Sequence, residues 1–365
     1  MKEIAEIIET VRSGSEEEKF ALATVVDVQG SSYRLPGAKM LVRADGSFVG
    51  TVSGGCVEAD VLERASRVIE TGQPEVFLYD TTGDVSSVFS LNMGCKGIVR
   101  VLLERVDAGS AYISFLDESL NSENGGYAAT VIVSPETGAP VGTRAFYRAD
   151  GDPEEGDLPE ANERVKSIAS GASDRRPAEI FETDTAAYFV EFAGPPPHLL
   201  ILGAGADAIP LADIAKRIGW RVTVADHRPA YASGERFPSA DSIVVCRPEE
   251  LGARLRIGGQ TAAVVMSHNF GHDKEYLKLG LLSQASYVGA LGPKVRTEEV
   301  LEAICQEGAE VSDERKERLY APVGLDTGGA DPETIAVAII AEISAVFAGR
   351  GGGHLRTRTG PIYER

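Results

Sequence analysis

Cysteine is scarce in this chain. Its 365 residues include four cysteines, and no two of them have the short spacing of a zinc motif or of a disulfide framework. They are Cys56, Cys95, Cys246 and Cys305. The sequence therefore indicates neither a disulfide-stabilised fold nor a structural zinc site.

Basic residues and long apolar runs are also lacking. The chain has 36 Lys and Arg against 55 Asp and Glu, a formal net charge of -19. This charge argues against nucleic acid or an anionic membrane as a partner, because both attract basic proteins. No apolar run approaches the roughly 18 residues of a membrane span. The first eleven residues form one amphipathic helical face and do not resemble a signal or transit peptide, so a cytoplasmic location is expected.

One stretch predicts the fold of the second half of the chain. Residues 199–202 form a short apolar strand, which leads into a Gly-x-Gly-x-x-Ala turn that begins with Gly203 and Gly205 and continues as a helix. About twenty residues further on, a second apolar strand ends in Asp226. Glycine at such a turn lets a pyrophosphate approach backbone N–H groups at a helix N-terminus. The pattern predicts a Rossmann-type nucleotide-binding unit.

In a doubly wound sheet, ligands bind beyond the carboxyl ends of the strands, where the strand order reverses. Asp226 occupies the position from which an acidic residue would accept a hydrogen bond from a ribose hydroxyl. A simple helix N-cap is the alternative role for this residue. Asp207 lies in the first turn of the helix that should receive the pyrophosphate, where a carboxylate repels a second anion. The fold is thus indicated more strongly than a dinucleotide ligand.

Three residues of the same crevice are candidate metal ligands. His268, His272 and Asp273 would suit a metal if their segment were helical, but Gly271 argues against a regular helix there. A polar contact to a ligand and a hydrogen-bonding role within a loop are the alternatives.

The domain boundary is predicted at the Gly-Pro-Pro-Pro segment, residues 194–197. Residues 1–194 predict an α+β domain with cysteine loops. Residues 195–350 predict an α/β domain with a Rossmann-like, doubly wound parallel sheet, because strands and helices alternate there. The last helix is marked by Asp331 as N-cap and Pro332 at its first position, and residues 351–365 are expected to form a flexible tail.

Two cysteines of the first domain lie on glycine loops. A hairpin around Asp45 and Gly46 runs into Ser-Gly-Gly-Cys-Val-Glu at residues 53–58, where Cys56 precedes a helical run. The helix dipole and nearby basic residues would favour its reactive thiolate, whereas a small buried residue is the alternative. Cys95, in Gly-Cys-Lys-Gly, repeats the arrangement. Residues 128–131 and 148–151 also echo residues 21–25 and 43–46, through either an internal duplication or shared strand composition.

Taken together, these motifs resemble the xanthine dehydrogenase accessory family, XdhC/CoxI, over nearly the whole chain. The most specific segments are residues 30–40, with the sequence GSSYRLPGAKM, and residues 53–58. Residues 94–97 are similar to the second cysteine motif of the family, although Lys96 replaces a usual glycine, and Tyr33 stands in a loop that is usually rich in proline. His268 and residues 323–343 resemble the C-terminal half of the family.

The resemblance implies an accessory factor, rather than a turnover enzyme, that binds molybdenum cofactor. It would protect the cofactor during sulfuration and deliver it to a xanthine dehydrogenase or a related molybdenum hydroxylase. A cysteine desulfurase is a further expected partner, and a homodimer is the expected assembly. Thiolates suit a metal or sulfur partner, and basic side chains would offset the cofactor's phosphate. The expected site residues are Arg34, Lys39, Ser53, Gly54, Gly55, Cys56, Glu58, Cys95, Lys96, Gly203, Gly205, Asp207, Asp226 and His268.

Two other functions remain open from the residues alone. One is an NAD(P)-dependent oxidoreductase that uses the Rossmann unit for hydride transfer, although no clear acid/base pair stands out in the first domain. The other is a nucleotide sensor without chemistry of its own.

Overall fold

The computed structural model describes residues 2–30, 32–55, 57–80, 97–134, 138–171, 178–360 and 362. The chain divides into two compact units, unit 1 (Met1–Pro195) and unit 2 (Pro196–Arg365). No helix of the described residues is long and apolar enough to cross a membrane.

Unit 1 is built from antiparallel strands with helices between them. Its elements are α1 (Lys2–Ser13), β1 (Phe20–Gly30), β2 (Lys39–Val42), β3 (Phe48–Gly50), α2 (Glu58–Thr71), β4 (Glu75–Asp80), β5 (Gly97–Val106), α3 (Ala111–Asn121), β6 (Gly126–Val133), β7 (Arg144–Arg148), β8 (Pro153–Glu155), α4 (Pro159–Ser170), β9 (Ala178–Glu182) and β10 (Ala187–Ala193). The described strands form two sheets, in the orders β3-β2-β1-β5-β4 and β8-β7-β6-β10-β9. The predicted hairpin around Asp45 and Gly46 is confirmed by the antiparallel pairing of β2 with β3.

Alternation along the strands places the core of unit 1. In β1, Ala21, Ala23 and Val25 pack against α2, whereas Phe20 and Leu22 face α1, α3 and the second sheet. The second sheet packs its own outer face against α4. Each sheet therefore has one helix on its outer face and shares its inner face with the other sheet.

The acidic run at residues 150–160 is structured, although its composition is typical of a solvated loop. It contains β8 and the first residues of α4, which has Pro159 in its first turn. Ala161 and Val165 bury one narrow apolar stripe of this helix against the sheet. Because that stripe consists mainly of small residues among charged ones, the helical period is weak in the sequence.

Unit 2 is a parallel sheet with helices on both faces. Its elements are β11 (His198–Leu202), α5 (Ala208–Arg217), β12 (Arg221–Asp226), β13 (Ser242–Val245), α6 (Leu251–Arg254), β14 (Thr261–Val265), α7 (Phe270–Leu282), β15 (Tyr287–Ala290), α8 (Lys294–Gln306), α9 (Asp313–Lys316), β16 (Leu319–Tyr320) and α10 (Pro332–Phe347), with short 3₁₀ turns at Pro248–Glu250 and Leu355–Thr357. The strand order is β13-β12-β11-β14-β15-β16, and every pairing is parallel. This is the doubly wound Rossmann order, so the predicted fold class is confirmed.

Continuous burial explains the run of apolar residues in β11. Leu199 and Ile201 pack toward α5 and α10, and Leu200 and Leu202 pack toward α7 and α8. The strand order reverses between β11 and β14, which lie side by side. The carboxyl ends of these two strands therefore flank the crevice in which such folds bind ligands.

Candidate functional site

Several strand ends of unit 1 lie at one end of the first sheet. β1 ends at Gly30, directly opposite Gly97, where β5 begins. β3 ends at Gly50, opposite Met40 near the start of β2, and β4 ends at Asp80 beside the start of β5. Because neighbouring strands are antiparallel, these termini share one edge of the sheet. We call this edge the motif end of unit 1.

The cysteine motifs belong to the segments that leave the motif end. Residues 31–38 connect β1 to β2, residues 51–57 connect β3 to α2, and residues 81–96 connect β4 to β5. Cys56, Cys95 and Lys96 lie outside the described residues. The topology nevertheless brings the beginnings and ends of all three segments to the same edge.

Ser53 and Glu58 fix the loop that precedes α2. The buried carboxylate of Glu58 accepts hydrogen bonds from the backbone N–H of Ser53 and the hydroxyl of Thr51, both at 2.8 Å, and from the Ser53 hydroxyl. Burial opposes ionisation of Glu58, but these hydrogen bonds outweigh it, so the pKa of Glu58 lies below its usual value. The Ser53 hydroxyl in turn accepts from the N–H groups of Gly55 and Val57, at 3.1 and 3.3 Å. These two side chains hold the shape of the loop.

Gly54 and Gly55 form the exposed part of this loop. Gly55 has φ +108°, in the left-handed region that favours glycine. An ideal Cβ on Gly54 would lie 3.5 Å from Cγ of Tyr33, whose residue is 67% exposed. The loop thus leaves its backbone open to solvent beside an exposed aromatic ring. Tyr33 departs from the family pattern of this loop. Its exposure next to Gly54 makes it a candidate ligand-binding residue.

The two basic residues of the first motif have different surroundings. Arg34 pairs with Glu3 and keeps 23% of its side chain exposed. Lys39 is 1% exposed, and its Nζ lies 2.6 Å from Oε2 of Glu191. This burial argues against the expected role of Lys39 toward a cofactor phosphate, because Glu191 already neutralises its charge inside unit 1. Sequence alone could not find the pairing, since the two residues lie 152 positions apart.

In unit 2, the two glycines of the Rossmann turn have different physical requirements. Gly203 has φ +117°, and a Cβ there would lie 2.7 Å from backbone atoms of Met266 and Ser267. A side chain at this position would therefore push β11 away from the end of β14. Around Gly205, an added Cβ would meet no atom closer than 3.9 Å, on His268. Gly205 leaves space over the turn, whereas Gly203 is required by backbone packing.

Asp226 points toward the glycine turn, and its oxygens are occupied. Oδ2 accepts from the N–H of Ala204 and from Nη2 of Arg228, both at 2.8 Å, and Oδ1 accepts from the backbone N–H and Nε of Arg228. Burial disfavours the carboxylate, but the bonds from Arg228 and Ala204 outweigh it and lower the pKa of Asp226 to about 2. Asp226 thus holds the glycine turn, and its bond from the Arg228 N–H closes a local turn. The N-cap alternative is wrong, because the described residues between β12 and β13 include no helix.

The histidines of the crevice lie near these groups. His268 has φ +57° and places Nε2 3.4 Å from Oδ2 of Asp207. The rings of His227 and His272 meet edge to face, with centroids 4.3 Å apart. Sequence reasoning missed His227, because its only signal is its position directly after Asp226.

The segment after His268 corrects one expectation. α7 begins at Phe270 and includes Gly271, because the Asn269 side chain caps the helix by accepting from the His272 N–H at 3.1 Å. Asp273 accepts from the Ser267 hydroxyl at 2.5 Å and from Arg296 at 2.7 Å. Within the described ranges, no group of three His, Cys, Asp or Glu side chains could hold a metal ion.

Comparisons with known proteins cover both units. Residues 199–343 match the family model of the XdhC Rossmann domain, and residues 14–80 match that of the XdhC and CoxI family. A protein of Bacillus subtilis (strain 168), named as a probable subunit of xanthine dehydrogenase, is 31% identical, over 90% of this chain and 93% of its own length. The chain belongs to the XdhC and CoxI family.

Other relatives agree with this assignment to the XdhC and CoxI family. The molybdenum cofactor insertion chaperone PaoD of Escherichia coli (strain K12) is 25% identical, over 89% of this chain and 82% of its own length. A crystal structure described as a xanthine dehydrogenase from Bacillus halodurans superimposes with a TM-score of 0.77 at 29% identity, covering 96% of this chain and 97% of the other. The resemblance drawn from the sequence is confirmed.

Proposed function

We propose that this member of the XdhC and CoxI family is an accessory factor that binds molybdenum cofactor and delivers it to a xanthine dehydrogenase or a related molybdenum hydroxylase. The observation that carries the proposal is the convergence of three motif segments at the motif end of unit 1. The name of the PaoD relative supports the same task.

The chemistry of the motif end suits this cargo. Cys56 and Cys95 belong to segments that leave this edge, and thiolates are good ligands for soft metals and sulfur. The exposed Gly54–Gly55 backbone has no Cβ atoms to keep a flat ligand away, and the Tyr33 ring lies beside it. Arg34 is the less buried of the two basic residues in the first motif, and it would exchange its partner Glu3 for the phosphate. A cysteine desulfurase partner, a homodimer and a cytoplasmic location stay predictions.

The test is equilibrium binding of isolated molybdenum cofactor to the purified chain. We expect Cys56→Ser and Cys95→Ser to weaken binding by at least about tenfold, or about 1.4 kcal/mol, through loss of a thiolate ligand. Cys305→Ser is the matched control, because this exposed cysteine lies in unit 2. Thermal melts check that each variant folds, and activation of a partner hydroxylase should decrease in parallel. Unchanged affinity in both test variants would indicate that these cysteines do not bind the cofactor and serve only in packing.

A nucleotide site in the crevice of unit 2 is a second candidate function. It is favoured by the glycine turn at the point where the strand order reverses between β11 and β14. Gly205→Val is the informative variant, because the space around Gly205 accepts a side chain that would then stand in the path of a phosphate. Titration with NADH and NADPH should show binding that this variant abolishes. Saturable binding that Gly205→Val leaves intact would place the ligand elsewhere.

A further inference from the structure

The two sheets of unit 1 have the same topology. Adding five to each strand number in β3-β2-β1-β5-β4 gives β8-β7-β6-β10-β9, and α1 and α2 precede the same strands as α3 and α4 do. We call the elements α1 to β5 repeat one and the elements α3 to β10 repeat two. Each repeat has the order α-β-β-β-α-β-β.

The turns of the two repeats also correspond. Equivalent glycines have nearly equal positive φ angles: Gly37 and Gly142 at 93° and 87°, Gly46 and Gly151 at 82° and 85°, Gly50 and Gly156 at 79° and 83°. A Cβ on Gly50 would lie 2.4 Å from the carbonyl oxygen of Lys39, and one on Gly156 would lie 2.5 Å from that of Arg144. Shared strand composition does not require matching turns. The internal echo in the sequence is therefore better explained by duplication.

The equivalent cations Lys39 and Arg144 pair across the repeats. Lys39 of repeat one lies 2.6 Å from Glu191 of repeat two, and Arg144 of repeat two donates to Glu104 of repeat one at 2.6 Å. Side chains of both pairs are 10% exposed or less. The two glutamates are equivalent as well, since Glu104 lies opposite Leu22 in β1 and Glu191 lies opposite Ala128 in β6. Such reciprocal contacts are the signature of a two-fold interface.

A second reciprocal contact sets the direction of the repeats. Cβ atoms built on the equivalent glycines Gly37 and Gly142 would lie 3.9 Å from Ala178 and 3.3 Å from Pro74. Ala178 begins β9, and Pro74 directly precedes the equivalent strand β4. Gly37 belongs to the motif end of repeat one, whereas the start of β9 is the opposite edge of repeat two. The motif end and its equivalent in repeat two therefore lie at opposite ends of the sandwich.

The repeats differ where the motifs are. Seven residues, 51–57, connect β3 to α2 in repeat one, whereas three, 156–158, connect β8 to α4. Sixteen residues, 81–96, connect β4 to β5, whereas four, 183–186, connect β9 to β10. The sequence of repeat two contains no cysteine. Only repeat one has the connections that carry the cysteine motifs.

We propose that unit 1 is a fused two-fold dimer with a single cofactor site, at the motif end of repeat one. Repeat two acts as a permanent structural partner, in the place of a second subunit. Each chain then binds one molybdenum cofactor, and the equivalent end of repeat two binds none. The identity of the ligand rests on the proposed function, whereas the pairing of the repeats does not.

The first test is a titration of the full chain with isolated molybdenum cofactor, using matched variants at the two ends. Gly54→Trp blocks the exposed loop before α2, and Asp157→Trp alters the equivalent exposed connection before α4. We expect one equivalent per chain, at least about tenfold weaker binding in Gly54→Trp, and unchanged binding in Asp157→Trp. Two equivalents, or equal losses in both variants, would overturn the single site. A wild-type chain that binds no cofactor would refute the proposed function itself.

The second test needs no cofactor and decides the pairing of the repeats. Hydrogen exchange of the full chain is followed in β1 and in β10 for Lys39→Met, with Lys166→Met as a control on an exposed ion pair. Because the substitution leaves the buried Glu191 carboxylate without its cation, with the Tyr112 hydroxyl still donating to it, exchange should accelerate roughly a hundredfold or more in both repeats together. Arg144→Met should act in the same way from the other side. Acceleration confined to the repeat that carries the substitution would overturn the fused dimer.

Discussion

The buried histidine at the start of β11 should make unit 2 sensitive to mild acid. His198 is 4% exposed, and its ring nitrogens lie 2.8 Å from the hydroxyl of Thr223 and 3.3 Å from that of Thr261. Burial, together with the charge of Arg221, lowers the pKa of His198 from 6.5 to about 4. The folded unit thus prefers the neutral imidazole.

The sign and size of the effect follow from this difference in pKa. Between pH 6.5 and about pH 4, the unfolded chain takes up a proton at His198 that the folded chain does not, so stability falls as pH falls. At 1.36 kcal/mol for each pH unit, the loss is about 2.5 kcal/mol at pH 4.5. Asp226 does not interfere, because the stability it contributes is lost only as pH falls from 3.8 toward 2.

The single tryptophan of the chain offers a selective assay. Trp220 lies in the core of unit 2, so its fluorescence during urea unfolding reports the unit that contains His198. We compare the free energy of unfolding of the wild type and of His198→Gln, which keeps polar atoms between the two threonines, from pH 7 to pH 4.5. The wild type should lose about 2.5 kcal/mol more than the variant. Parallel curves over this range would refute the assignment of a depressed pKa to His198.

Further substitutions test three features of the fold. Lys39→Met should destabilise unit 1 by about 3–5 kcal/mol, because it leaves the buried Glu191 carboxylate without its cation. Adding Glu191→Gln should restore most of the lost stability, and hydrogen exchange in β1 measures both effects. Gly203→Ala should cost about 1–3 kcal/mol or more, from its positive φ and its contact with β14, whereas Gly205→Ala should be nearly neutral, as read from Trp220 fluorescence during unfolding. Asp331→Ala should cost about 1 kcal/mol, since its carboxylate accepts from the Thr334 N–H at the start of α10; the same fluorescence assay measures it.

Each of these predictions has a clear contrary result. A Lys39→Met protein as stable as wild type would mean that the ion pair is not buried in solution. Equal losses for Ala at the two glycines would contradict the close approach of β11 to β14. Asp331→Ala without loss would indicate that α10 begins elsewhere.

The Rossmann unit was predictable because its signals are local. A buried parallel strand needs an unbroken apolar run, and the turn against β14 needs glycine at position 203, so both requirements appear in adjacent residues. The cap of α10 is equally local, with Asp331 and Pro332 in neighbouring positions. Such features depend on residues that the chain itself places together.

Three other features were not predictable in this way. The sequence predicts Lys39 to be an exposed cation, because its partner Glu191 belongs to a different sheet. The pairing of Asp226 with Arg228 needed the turn geometry, although the two residues are close in sequence. α7 likewise begins before its apolar period, at a cap formed by Asn269. The first feature follows from packing and the other two from local backbone geometry, and composition and period specify neither.

Because the two repeats point in opposite directions, unit 1 has an attachment site far from the motif end. The connection between β9 and β10 is a short turn with Thr185 exposed, at the end of the sandwich remote from the motif segments. Exposed loop tips of this kind tolerate insertions and chemical attachment. A fluorophore or a surface tether introduced at Thr185 would label or immobilise the protein at the end of the sandwich remote from the motif end.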